Sequence, residues 1–194
     1  MQRVLGILGV CLLAACCCGT MFGSNLVVNG GFETGNFTGW TTILANPGSD
    51  FGVTTSFPHS GSYAADFGAM SGENDYIYQN LPTTPGTTYD ISFWLDASHG
   101  VTTTGQFVAN WGGNNLLTVT GGIGGGYIEY TYAETATSTS TDLQFGGNTV
   151  NNWYYLDDVS VVPAASSVPE PASLALLGAG LLGGLGAIRR KLAK

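Results

Sequence analysis

Asp157 sits in an apolar and aromatic run, with Trp153-Tyr154-Tyr155-Leu156 ahead of it and Val159 and Val161 behind. Read with a period of two, it shares a face with Tyr155, Val159 and Val161 and points toward a core. A buried carboxylate is costly unless it gains a cationic partner, hydrogen bonds or a proton. Cations are what this sequence withholds. Its five lysines and arginines are Arg3, Arg189, Arg190, Lys191 and Lys194, and all 13 acids lie between them. The partners left for Asp157 are backbone N–H groups, a histidine or a metal ion.

A second constellation is a tryptophan among acids and hydroxyls. Tyr89 to Asp96 alternates, with Tyr89, Ile91, Phe93 and Leu95 on one face and Asp90, Ser92, Trp94 and Asp96 on the other. If the first face is buried, Trp94 is presented outward. An indole can cover the apolar C–H face of a pyranose while carboxylates such as Asp96 accept from its hydroxyls. Gln79, Gln106, Asn110 and Trp111 would extend that surface. The competing reading packs Trp94 under a loop and uses Trp111, beside Gly112-Gly113, to anchor a turn. Trp40 and Trp153 read as core.

Other chemistries lack their residues. Ser71, in Gly68-Ala69-Met70-Ser71-Gly72, is out of place for a nucleophile elbow. His59 and His99 have no neighbouring nucleophile or metal-spaced partner and read as polar loop residues. Asp157 and Asp158, adjacent on a strand, point to opposite faces and cannot form a glycosidase pair. Gly121 to Gly126 is glycine-rich without a lysine or a following helix, hence no phosphate cradle. Twelve acids from Glu33 to Asp158, with no lysine or arginine among them, exclude nucleic acid as a partner.

The elements that must position these residues are strands. Besides 89–96, period-two segments fall at Leu26–Val28, Tyr63–Phe67, Tyr76–Leu81, Gln106–Trp111, Leu116–Thr120, Tyr127–Ala133, Thr141–Phe145 and Tyr154–Val162, separated by Gly-, Asn- and Pro-rich turns. No helical period occurs between them. The expected fold is all-β: one antiparallel β-sandwich over residues 25–163. All four cysteines (Cys11, Cys16, Cys17, Cys18) precede it, so it must hold together without disulfides.

The two ends read differently. Residues 1–24 form an export signal, with Arg3 before an apolar run from Val4 to Ala15. Leu13-Ala14-Ala15-Cys16 resembles a lipobox, which would put a lipid on Cys16; a type I signal peptidase cutting near Cys18 or Gly19 is the alternative. Residues 164–168 read as a linker. Residues 169–194 hold Pro169-Glu170-Pro171, an apolar segment at 172–188, and Arg189-Arg190-Lys191. The order and spacing resemble the sorting tail of PEP-CTERM proteins of Gram-negative bacteria. That resemblance implies an inner-membrane intermediate held by a single hydrophobic helix. An exosortase would then cleave near Pro-Glu-Pro and release the body to the cell surface or extracellular matrix. An ordinary single-pass anchor is the alternative.

The body carries a resemblance of its own. Asn29-Gly30-Gly31-Phe32-Glu33, Trp40, His59-Ser60-Gly61-Ser62-Tyr63, Pro85-Gly86-Thr87-Thr88-Tyr89 and Leu156-Asp157-Asp158-Val159-Ser160-Val161 occur in that order. They are similar to the galactose-binding-like jelly rolls, in particular carbohydrate-binding modules of the family 4 and 22 type. The resemblance implies a jelly roll whose first and last strands lie close, so that its termini meet. It also implies a structural Ca²⁺ held by Glu33, Asp157 and the loop that includes Ser62; hard oxygen ligands suit calcium better than zinc. The alternative is that Glu33 caps a turn and Asp157 accepts backbone hydrogen bonds. The expected function is non-catalytic binding of polysaccharide at the cell surface. A surface or biofilm protein without a ligand, and a polysaccharide hydrolase, are the rivals.

Overall fold

A computed structural model describes residues 23–165, apart from 46–47, 69–71, 100, 102–103 and 150–151. Cys16, the 172–188 segment, Pro169-Glu170-Pro171, Arg189 and Arg190 lie outside the described residues.

Ten strands form two five-stranded antiparallel sheets: β1 (Thr41–Ile43), β2 (Asp50–Thr54), β3 (Ala64–Gly68), β4 (Asp75–Pro82), β5 (Thr88–Asp96), β6 (Gln106–Trp111), β7 (Asn114–Thr120), β8 (Ile128–Thr135), β9 (Ser140–Asn148) and β10 (Tyr154–Pro163). The sheet orders are β1-β4-β9-β6-β7 and β2-β3-β10-β5-β8. No helix occurs among the described residues. The alternation read from sequence is therefore that of a β-sandwich. Two strands went unread: β1, only three residues long, and β2, where Gly52 interrupts the apolar pattern. Conversely, Leu26–Val28 forms no strand, although Leu26 N donates to Val161 O at 2.8 Å.

Aromatic side chains close the space between the sheets. Phe93 on β5 meets Phe145 on β9 edge to face at 5.0 Å, and Phe67 on β3 meets Phe107 on β6 at 5.5 Å. All four rings are fully buried. Such cross-sheet pairs add to the burial of their large apolar areas, which drives the packing of the two faces. The Gly112-Gly113 turn joining β6 and β7 has positive φ at both residues (55° and 82°), the two-residue hairpin geometry that glycine permits.

One irregularity governs everything near Asp157. Across β10 and β5, Asp157 pairs with Trp94 but Ser160 pairs with Ser92, so Asp158 and Val159 stand opposite Phe93 alone. This is a β-bulge, with Asp158 in the left-handed region at φ 49°. The extra residue shifts the phase of the strand. Val159 and Val161 face the core, whereas Tyr155 and Asp157 face outward with Trp94. The expectation that Asp157 points into the core is thus corrected. Its burial comes from a loop folded over the outside of the sheet.

The chain ends of the domain are adjacent. Asn25 Oδ1 accepts from Val161 N at 2.9 Å, and a Cβ on Gly23 would touch the Pro163 ring at 2.5 Å.

Candidate functional site

The loop that covers Asp157 is residues 57–62, and acids hold it down. Asp157 Oδ2 accepts from His59 N at 2.9 Å and Ser60 N at 3.1 Å, and its Oδ1 accepts from Asp158 N at 2.7 Å. Glu33, carried by the Asn29–Glu33 turn, accepts from Ser62 N at 2.9 Å and Tyr63 N at 3.0 Å. Asp158 takes the side chains, with His59 Nδ1 and Ser60 Oγ each at 2.7 Å. Three acids from two distant segments thus grip one loop. Asp157 is 0 % exposed. Burial pushes its carboxyl up to about 6, with Asp158 adding to the rise and the N–H groups of Ser60, Asp158 and His59 opposing it.

This arrangement bears on the expected calcium. Glu33, Asp157 and Asp158 all approach Gly31: a Cβ there would lie 3.8 Å from Glu33 Cγ, 3.8 Å from Asp157 Oδ1 and 3.5 Å from Asp158 Oδ1. The donor set is mostly hard oxygen, as calcium requires. Among the described residues, however, no three His, Cys, Asp or Glu side chains are grouped closely enough to hold one metal ion. As arranged, the carboxylates answer N–H groups. Asp157 is nonetheless left with a raised affinity for a proton, so those N–H groups do not fully offset its burial.

The sugar platform expected at Trp94, Asp96 and Trp111 is not assembled. Trp111 is 2 % exposed and packs in the core against Tyr89 at 5.9 Å, because it lies on the inward face of β6 with Phe107 and Ala109. Trp94 does face outward, but the His59 ring stacks on it at 3.9 Å and Tyr127 closes on that histidine edge to face at 5.1 Å. Asp96 is 3 % exposed and accepts from Ser98 N at 2.7 Å, with His99 Nε2 at 3.0 Å from its other oxygen. Phe57 in turn stacks on His99 at 3.8 Å. Both histidines are therefore mortar between an acid and an aromatic ring. Trp40 is core, as expected, whereas Trp153 is only half-buried.

The outer face of the other sheet is open and carries different residues. Tyr76, Tyr78 and Asn80 on β4, Gln144 on β9, Gln106 and Asn110 on β6, and Asn115 on β7 all point outward. The Tyr76 ring lies flat across β9, because its partner is Gly146: a Cβ at Gly146 would come within 2.3 Å of Tyr76 Cε1. Asn74 Nδ2 reaches Tyr76 Oη at 3.4 Å, and Asn148 Nδ2 donates to Asn74 Oδ1. One pair along, amides are chained across three strands: Asn110 Nδ2 donates to Gln144 Oε1 at 3.1 Å and Asn115 Nδ2 to Asn110 Oδ1 at 3.2 Å. A groove of about 590 Å³ crosses this face at the head of β4, lined by Ile43, Leu44, Glu73, Asn74, Tyr76, Gln106 and Asn148 among others.

Of the residues expected to extend a sugar surface, Gln106 and Asn110 lie on this face. Gln79 does not: it is buried and clamps Val28, donating to its carbonyl at 2.7 Å and accepting from its N–H at 3.1 Å. Tyr76, Tyr78, Gln144 and Asn148 were missed. The alternation of Tyr76-Ile77-Tyr78-Gln79-Asn80-Leu81 separates the tyrosines from the inward Ile77 and Leu81 and was the signal for them.

Two antiparallel sheets with an aromatic and amide groove across one outer face make the frame of a β-sandwich binding module. Residues 24–152 match the family model of a carbohydrate binding domain, and the chain belongs to that family. Residues 167–191 match the PEP-CTERM protein-sorting motif, a tag that implies export to the cell surface. No curated protein matches the chain. Among solved structures it is similar to TmCBM61 in complex with β-1,4-galactotriose, at 20 % identity and a TM-score of 0.54, covering 72 % of this chain and 99 % of that one. It is also similar to the CBM22-1 xylan-binding domain of Paenibacillus barcinonensis Xyn10C, at 14 % identity and a TM-score of 0.51, covering 75 % and 97 %. The K3 adhesin domain of Lys-gingipain from Porphyromonas gingivalis gives 16 % identity and a TM-score of 0.52, covering 71 % and 99 %. At these identities the likeness is one of fold.

The acid-rich face makes a prediction about pH. Asp66 on β3 stands between Gly52 and Tyr155. Burial, followed by the neighbouring Asp50, raises its carboxyl from 3.8 to about 6. Between those values the folded state binds a proton that the unfolded state has released. The contribution of Asp66 to stability therefore grows as pH falls from above 6 toward 3.8. Urea midpoints across that window should rise on acidification in the wild type and rise less in Asp66→Asn; equal slopes would refute the assignment.

Proposed function

We propose that this is a non-catalytic carbohydrate-binding protein that is exported and takes polysaccharide across the outer face of the β1-β4-β9-β6-β7 sheet. The observation that carries the reading is the Tyr76 ring laid flat on Gly146 within the groove. The ring packs on the strand at Gly146 and lines the groove, where it would stack on a pyranose. Ile43 and Leu44 extend the apolar wall, and the amides of Asn74, Gln106 and Asn148 can donate to and accept from hydroxyls. The family to which the chain belongs supports the same reading. Binding to xylan, β-glucan and galactan, followed by retardation in polysaccharide gels, tests it. Tyr76→Ala should weaken binding by about tenfold or more, the effect of truncating an aromatic anchor, while Trp94→Ala leaves it intact. Loss on Trp94→Ala with binding retained in Tyr76→Ala would return the site to the opposite sheet.

Export by the PEP-CTERM route belongs to the same proposal. Signal peptidase would remove the leader. An exosortase of a Gram-negative bacterium would cleave the tail near Pro169-Glu170-Pro171, releasing the body from an inner-membrane intermediate to the surface or matrix. The match over residues 167–191 supports this. The intact mass of the exported chain should lack the residues after Pro171; a full-length C-terminus on the surface-localised protein would rule cleavage out. The same spectrum reports whether Cys16 carries a lipid.

We further propose that a calcium ion binds at Glu33 and Asp157 with the loop that includes Ser62. The ion would supply the fixed positive charge that the domain's own side chains lack. What supports it is the full burial of the Asp157 carboxylate and the hard oxygens of Glu33 and Asp157 gripping one loop, in a domain without lysine or arginine. Millimolar Ca²⁺ should raise Tm by several degrees over chelator, about 5 °C for an ion well above its Kd. Identical Tm values in the two would remove the metal.

A further inference from the structure

We infer that the groove selects glycans bearing free amino groups over their neutral and acidic counterparts. This deepens the carbohydrate-binding reading and rests on it. Among the described lining residues, Glu73 is the one charged side chain, and it is exposed at the head of β4. A second carboxylate backs the same wall. Asp75 is 0 % exposed; its Oδ1 accepts from Ala45 N at 2.6 Å, and its Oδ2 has no hydrogen-bond partner among the described residues. Ala45 and Asn74, which flank that contact, are themselves groove residues. No lysine or arginine exists anywhere between residues 4 and 188 to balance these charges.

The consequences differ by ligand charge. A uronate or sulfate would carry negative charge toward Glu73 and into the field of twelve acids between Glu33 and Asp158, with no basic side chain to receive it. A neutral sugar meets Tyr76 and the amides and leaves Glu73 solvated. An ammonium on the sugar ring gains a charge-assisted hydrogen bond to Glu73 and the attraction of the Tyr76 π face. A polymer of such units is also concentrated at the surface by the long-range field of the domain. The groove thus has a positive reason to prefer an amino sugar.

Calorimetric titration with glucosamine oligosaccharides, their fully N-acetylated counterparts and oligogalacturonate tests the inference, at a pH where the amines are protonated. The glucosamine series should bind about two- to fivefold more tightly than the acetylated series, the scale of one exposed ion pair. Added salt should shrink that preference, and oligogalacturonate should bind most weakly. Glu73→Gln should cut the preference to the weaker part that the Tyr76 ring and the field of the domain supply. Glu129→Gln makes the same charge change on the outer face of the other sheet and should leave it in place. Equal affinity for the amino and acetylated series overturns the inference while carbohydrate binding stands. A preference undiminished by Glu73→Gln overturns it as well, because the selection is then not made in the groove. If the folded protein binds no member of the amino or neutral series, nor xylan, β-glucan or galactan, the carbohydrate-binding reading itself falls.

Discussion

The acids of this sandwich have no fixed cation within the domain, so those gathered around loop 57–62 and Trp94 are met by N–H groups or by a histidine ring. Asp157 and Glu33 meet the backbone of residues 59–63, Asp158 meets His59 and Ser60, and Asp96 meets Ser98 and His99. Where lysine or arginine would give a long, adjustable arm, a backbone donor demands that the loop itself come to the acid. The loops are consequently drawn onto the sheet. Loop 57–62 lies over Trp94, and Phe57 and Tyr127 are carried onto the same layer, with Tyr127 Oη donating to Phe57 O at 2.7 Å. The outer face of the β2-β3-β10-β5-β8 sheet is roofed around Trp94 for this reason, and no acid of the opposite outer face draws a described loop over it in the same way.

Much of the fold was legible because strand alternation is a local property of the chain. Tyr89–Asp96 reads directly, with Phe93 and Leu95 inside and Trp94 outside. What failed was phase and contact. The bulge at Asp158 exchanges the faces of β10 partway along it, and nothing in Leu156-Asp157-Asp158-Val159 announces an extra residue except that Asp tolerates a positive φ. Trp111 looked exposable from its neighbours Gly112 and Gly113, yet its register on β6 places it inside. Trp94 was oriented correctly, but its cover comes from a segment 35 residues earlier, and only tertiary structure brings His59 over it. The candidate groove thus has the kind of residues the sequence suggested, an aromatic among hydrogen-bonding groups on a sheet, but on the opposite face from Trp94.

The two outer faces divide the aromatic residues by their neighbours. Trp94 stands beside acids that recruit a loop, so it is enclosed. Tyr76 stands across from Gly146 with amides around it, and amides satisfy one another along the strands without recruiting anything above them. An aromatic ring on a glycine is also held at a defined height, since the strand beneath it has no side chain to tilt it. That lends a rigid surface to a groove whose other contacts are short polar side chains.

Gly23 and Pro163 touch at one end of the sandwich, where Ala164 N also donates to Thr88 O and the β4–β5 and β8–β9 turns are bonded together through Thr83 and Thr139. Strand β4 begins in the groove and ends at that turn, eight residues and roughly 25 Å away. Both covalent exits thus leave from one pole and the groove opens at the other. A chain fixed by either end is held like a lollipop on its stick, with its own bulk standing between the attachment point and the groove. On a chain so fixed, an occupant of the groove would approach from the side that faces away from the attachment point.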